Sequence, residues 1–193
     1  MTALVKRSFE IRANENEGKS IIVGRPIVYE SKTDLGCCDE IIRRGALDKA
    51  DLTDIRFLVN HDMSKIPLAR YIKGDERSTM KIATDKDGMS IQLELDTENN
   101  ADARALYSAV QRGDITGMSF AFSIDGDEWE NLESEHPIRT ITSIGKVFEV
   151  SAVTFPAYES TEISARDVEN AKNNTRSNNL ELEKLKAKYL YNI

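Results

Sequence analysis

The chemistry open to this chain rests on a handful of residues. It contains two histidines. His61 lies in "RFLVNHDMSKIPLAR", where a strand carrying Phe57 and Val59 runs out into a polar turn with His61 and Asp62 at its mouth. His136 lies in "ESEHPIRT", between a charged loop and a strand, where a solvated loop residue is expected. "GMSFAF", residues 117–122, sets Ser119 between two bulky apolar neighbours just after a glycine. Side chains alternate along a strand, so Met118, Phe120, Phe122 and Ile124 form one face and Gly117, Ser119, Ala121 and Ser123 the other. The bulky face suits a core. The small face leaves room for an extended polypeptide to lie beside a hydroxyl. A serine acting as a nucleophile needs a base, and the imidazoles are the candidates.

A third residue completes the set. By alternation in "GKVFEVSAVTFPAY", Val147, Glu149 and Ser151 share a face opposite Phe148, Val150 and Ala152. A carboxylate within an apolar strand is costly unless it is paired. A histidine N–H is a natural partner, and that is the orienting role of a catalytic triad. Bland readings stand beside these: a strand serine is ordinarily a bystander, a lone histidine is ordinarily structural, and Glu149 would then be a solvated strand residue. A metal centre is not expected, since His61, Asp62, His136 and the thiols show no ligand spacing.

The elements that must position these residues are mostly strands. "VKRSFEIRA" and "SIIVGRPIVYE" read as two strands around a polar "NENEGK" turn. "TMKIATDKDGMSIQLELD" reads as a hairpin, with Met80 and Ile82 alternating before an Asp87-Gly88 turn and Met89, Ile91, Leu93 and Leu95 after it. "NNADARALYSAVQRGD" switches to helical period, with Asn99 or Asn100 as cap, Ala105, Leu106, Ala109 and Val110 as the apolar stripe, and Gly113 at the stop. "ITGMSFAFSI", "EWENL", "IRTITSI" and "KVFEVSAVTFP" are again of strand character. The expectation is a mostly β fold with some α: a closed or nearly closed β-barrel with a few helices outside. Residues 1–160 would form that domain. Residues 161–193 read as a tail, an Asn-rich linker over roughly 170–179 followed by a short amphipathic helix with Leu182, Leu185 and Tyr189.

Bulk properties set the frame. The 193 residues suffice for one well-buried domain, and 40% hydrophobic content excludes disorder throughout. A net charge of -7 argues against a general phosphate-binding surface, so no nucleic acid partner is expected. The N-terminus lacks the apolar core of a secretory signal, and no run approaches the roughly 20 apolar residues of a membrane span. Cys37 and Cys38 are adjacent and read as reduced thiols in a cytosol-like compartment.

Taken in order, "VNHD" followed by "PLAR", then "GMSFAF", then "FEVSAVTFPAY" resemble the three motif blocks of the tailed-bacteriophage prohead (capsid maturation) serine proteases. The upstream "GRPIVYESKTDLGCCDEIIRRGAL" resembles that family's opening hairpin and its turn into a short helix, so the likeness covers roughly residues 5–160. The family is similar in fold to the herpesvirus assemblins, a β-barrel ringed by helices. The resemblance implies an endopeptidase, without cofactor, that works inside an assembling procapsid in the host bacterial cytoplasm. There it would cut scaffold protein, or the scaffold-like part of the major capsid protein, and itself. Its implied site places His61 at the general base, Ser119 at the nucleophile and Glu149 at the acidic third member, with Asp62 as the rival carboxylate. Ala69 stands where many members have a glycine. A homo-oligomer is left open. The competing function is a catalytically silent, scaffold-like assembly factor on the same fold.

Overall fold

The computed structural model describes residues 11–16, 18–154, 168–177, 180, 181 and 184. Among the described residues, ten strands and one full helix run in the order β1 (Ile11–Asn16), β2 (Lys19–Val28), β3 (Lys32–Asp34), β4 (Asp39–Ile42), β5 (Asp54–Val59), β6 (Ala69–Ile72), β7 (Met80–Asp85), β8 (Gly88–Leu95), α1 (Ala101–Arg112), β9 (Gly117–Glu130) and β10 (Ile138–Val153). They form a four-stranded sheet, β1-β2-β8-β7, and a six-stranded sheet, β3-β4-β10-β5-β6, with β9 also paired to β10. The mostly β architecture with few helices is as expected. Neither sheet closes on itself among the described residues, so the expected barrel closure is not seen in the hydrogen bonding. A single core spans both sheets, from Ile22, Met89 and Leu93 to Phe57, Met118 and Val150.

The β7–β8 hairpin follows its sequence pattern, with Met89, Ile91, Leu93 and Leu95 buried. Its turn differs by one residue from expectation. Asp85 pairs with Gly88, so Lys86 and Asp87 form the turn, and the Asp85 carboxylate accepts from the Asp87 N–H at 2.8 Å. Gly88 begins β8 instead, at φ 136°. A Cβ there would sit 2.0 Å from the Ile27 carbonyl oxygen of β2, so only glycine lets the two strands pair.

Helix α1 is capped by Asn100, whose side chain accepts from the N–H groups of Asp102 at 2.9 Å and Ala103 at 3.2 Å. It ends at Gly113, φ 78°. Its buried stripe is Ala103, Leu106 and Val110; Ala105 faces solvent.

The strand segments expected after α1 merge into two long strands, β9 of 14 residues and β10 of 16. β10 is the spine of the six-stranded sheet. β9 lies antiparallel along one side of it, while on the other side β4 pairs in parallel with its first half and β5 with its second. β-Bulges keep so long a pair aligned. One of them falls between Val147 and Glu149, and it changes the face expected for Val147. The extra residue, Phe148, breaks the alternation, so Val147 joins Val150 and Ala152 in the core while Phe148 is 42% exposed.

The Asn-rich stretch expected as a linker is helical over 168–177. Composition missed it because its buried contact is made with residues distant in sequence. Val168 is buried in a small cluster with Leu35 and Cys38, against which Cys37 and Trp129 pack. Leu182, Leu185 and Tyr189, the expected amphipathic stripe, lie outside the described residues. Cys37 and Cys38 are both free thiols, and burial pushes the Cys38 thiol up to about 12. No helix among the described residues is long and apolar enough to cross a membrane.

Candidate active site

β5 delivers His61. Its buried Ile55 and Phe57 hold it in the core, and it ends beside β10 with Val59 opposite Ala152. The ladder continues one residue into the turn, where the Asn60 N–H donates to the Ala152 carbonyl at 2.9 Å. The chain then reverses through Asn60 and His61, both at positive φ (51° and 56°), and the Asp62 N–H donates back to the Val59 carbonyl at 3.1 Å. Positive φ at both central residues is the signature of a type I′ turn, in which Asn is favoured. The Asn60 side chain clamps the turn to the end of β10. Its Oδ1 accepts from the Thr154 N–H at 2.9 Å, and its Nδ2 donates to Thr154 Oγ1 at 3.2 Å.

So fastened, the His61 ring reaches Glu149. Nδ1 lies 2.6 Å from Glu149 Oε1. The imidazole is 24% exposed, whereas the carboxylate is 2% exposed. The solvated reading of Glu149 therefore fails: this is a buried carboxylate with its pairing met. Asp62 is occupied otherwise. Its Oδ1 accepts from the Ser64 N–H at 3.0 Å and the Ser64 hydroxyl at 2.5 Å, and that pairing holds its carboxyl below the ordinary range. Of the two carboxylates, Glu149 is the one against the ring.

Ser119 enters from β9. In the β9–β10 ladder Ser119 stands opposite Ser151 and Ala121 opposite Glu149, while Met118 and Phe120 stand opposite Ala152 and Val150 on the core side. Directly opposed residues of an antiparallel pair share a face, with Cβ atoms about 5 Å apart. Ser119 and Ala121 thus share the face of the Glu149 carboxylate. The smallness of that β9 face has a structural cause: a large side chain at 121 would compete with Glu149 for the space it needs to meet His61. Ser119 is half-buried.

Ser151 was legible only as a neighbour of Glu149 on its strand face. In the structure it is wholly buried; its hydroxyl donates to Glu149 Oε2 and accepts from the His61 backbone N–H at 3.2 Å. His136 is more engaged than a solvated loop residue. Its Nε2 lies 3.2 Å from Asp39 Oδ1 and 3.6 Å from Asp34 Oδ1. These three groups gather ligand-type atoms within 4.8 Å of one another, a cluster invisible in sequence spacing because it joins β3, β4 and the loop before β10. The Lys32 ammonium, 3.0 Å from Asp39 Oδ2, already supplies a cation there.

A serine strand laid beside a histidine paired with a buried carboxylate is the material of a serine peptidase, and comparison with known proteins agrees with that class. The family model for the caudovirus prohead serine protease matches residues 7–174, and the chain belongs to that family. It is also similar to the prohead protease of Enterobacteria phage HK97, 26% identical over 174 residues that cover 83% of this chain and 71% of the relative. No solved structure matches it. The protein is therefore a serine protease of phage capsid maturation, which sets aside the catalytically silent alternative.

Proposed function

We propose that Ser119 is the nucleophile of this protease, His61 its general base and Glu149 the residue that orients the base. The observation that carries the reading is the 2.6 Å contact between His61 Nδ1 and the buried Glu149 Oε1. With Nδ1–H donated to the carboxylate, Nε2 is the nitrogen left to take a proton. Ser119 Oγ attacks the scissile carbonyl as His61 Nε2 removes its hydrogen, and the same nitrogen then delivers that proton to the leaving amine. A water repeats the cycle on the acyl-enzyme. Glu149 fixes the tautomer and stabilises the imidazolium, which in a buried site is worth more than in water. Ser151, wholly enclosed, has no path to a substrate carbonyl, and this favours Ser119 as the attacking hydroxyl.

The substrates we assign are the scaffold protein, or the scaffold-like part of the major capsid protein, and the protease itself, within the procapsid in the host cytoplasm. The small β9 face suits an extended polypeptide rather than a folded surface. Residues 1–160 carry the catalysis, and residues 161–193 are a tail that targets the enzyme to the shell or is cut by it. The test is co-expression of the full chain with its capsid protein, with intact masses followed over time. Wild type should shorten the capsid protein and itself, and Ser119→Ala should leave both intact. Cleavage persisting in Ser119→Ala, with host proteases excluded, would remove the nucleophile assignment.

A further inference from the structure

The mechanism above makes no use of the most enclosed polar side chain near the site. Ser151 is 0% exposed, and its hydroxyl bonds to both members of the His61–Glu149 pair. As donor it holds Glu149 Oε2; as acceptor it takes the His61 backbone N–H at 3.2 Å. We propose that Ser151 is a positioning residue for catalysis, which locks the Glu149 carboxylate plane and the His61 backbone to one atom. This rests on the reading of His61 and Glu149 as the base system.

The physical need is specific. A carboxylate held only through Oε1 can rotate about its terminal torsion, which is broad and two-fold, and drift off Nδ1. A second bond at Oε2 removes that freedom and gives the buried charge a second donor. The ring side of the pair is equally demanding. His61 sits at φ 56°, a conformation costly for a side-chain-bearing residue, so its backbone must be held by its surroundings. The Ser151 hydroxyl meets both demands because of where β10 runs. Ser151 stands opposite Leu58 of β5, just before the turn that carries His61, and two residues from Glu149 on the same face. The ring contact, the carboxylate–hydroxyl bond and the hydroxyl–backbone bond close a loop through His61, Glu149 and Ser151.

The test uses the full chain and a small fluorophosphonate, which phosphonylates an activated serine hydroxyl with loss of fluoride and so reads activation without a peptide substrate. Ser151→Ala should slow labelling of Ser119 about 10- to 100-fold, the consequence of losing one buried hydrogen bond to a charged group. Saturation with reagent should be unchanged. Glu149→Gln should slow labelling more, and adding Ser151→Ala to it should slow labelling by less than Ser151→Ala slows the wild type, because the carboxylate part of the Ser151 effect is already lost and the His61 backbone bond is what remains. Ser151→Cys, which keeps the shape and a weak donor, should fall between wild type and Ser151→Ala. In the proton spectrum, the deshielded His61 Nδ1–H resonance should move upfield in Ser151→Ala. Wild-type labelling by Ser151→Ala beside a slow Glu149→Gln overturns the proposal and leaves the pair standing. Additive slowing in the double variant overturns it too, by pointing to a merely structural role. Wild-type labelling by Glu149→Gln overturns the base system itself, and the proposal with it.

Discussion

Two tight turns in this molecule meet the same backbone problem in opposite ways. At the β7–β8 hairpin the positive φ falls on Gly88, where a Cβ would strike the Ile27 carbonyl at 2.0 Å. After β5 it falls on Asn60 and His61, which both carry side chains. A non-glycine residue in that region costs about 1–3 kcal/mol, although Asn and His bear it better than most. Gly88, just past the Lys86–Asp87 turn, has only to let β8 pass close against β2, so glycine serves. The turn after β5 must also deliver an imidazole to a buried carboxylate, so it keeps the costly residues and fastens them to Ala152, Ser151 and Thr154. Of these two places, the strain is kept where the side chain must reach a buried carboxylate.

That contrast can be broken or sharpened by substitution. The largest effect should come from Glu149→Gln, which preserves shape but favours the wrong His61 tautomer. Cleavage should fall roughly 10³-fold or more, with the thermal midpoint near wild type. Gly88→Ala should act in the opposite sense, destabilising the fold by about 3 kcal/mol in urea titration while the folded fraction keeps its specific activity. If Gly88→Ala proved inactive but stable, the two turns would not differ as argued. Asn60→Gly keeps the positive φ and cuts the Thr154 clamp. Its activity should drop about ten-fold, the effect of losing the two Thr154 bonds at roughly 0.7 kcal/mol each. Smallest of all should be Asp62→Asn, which still accepts from Ser64; a change above about three-fold in rate would show that Asp62 shares in orienting the ring.

The same contrast explains what was readable in the sequence. Strong alternation exposed the β7–β8 hairpin, and helical period with an Asn cap and a Gly stop exposed α1, because those signals are local. The separate strands expected after α1 are in fact two long ones, since β-bulges carry them across Gly126 and Gly145 where local signals suggested breaks. The bulge at Phe148 moved Val147 into the core for the same reason: register is set by the partner strand. The pairing of His61 with Glu149 was anticipated from the need of a buried carboxylate for a donor. The part of Ser151 was not, because its bond to the His61 backbone arises from β5 and β10 lying in parallel, a fact of topology. The 168–177 helix was masked by its polar composition; its anchor, Val168, meets Leu35 and Cys38, which are far away in sequence.

The most direct measurement of the central claim is where a fluorophosphonate lands. The wild-type chain should be treated, digested and mapped by mass spectrometry, beside His61→Ala. The account predicts a single adduct on Ser119, absent at the same exposure in His61→Ala, with Ser151 unmodified in both. An adduct on any other hydroxyl, or equal labelling of Ser119 without the His61 imidazole, would contradict it.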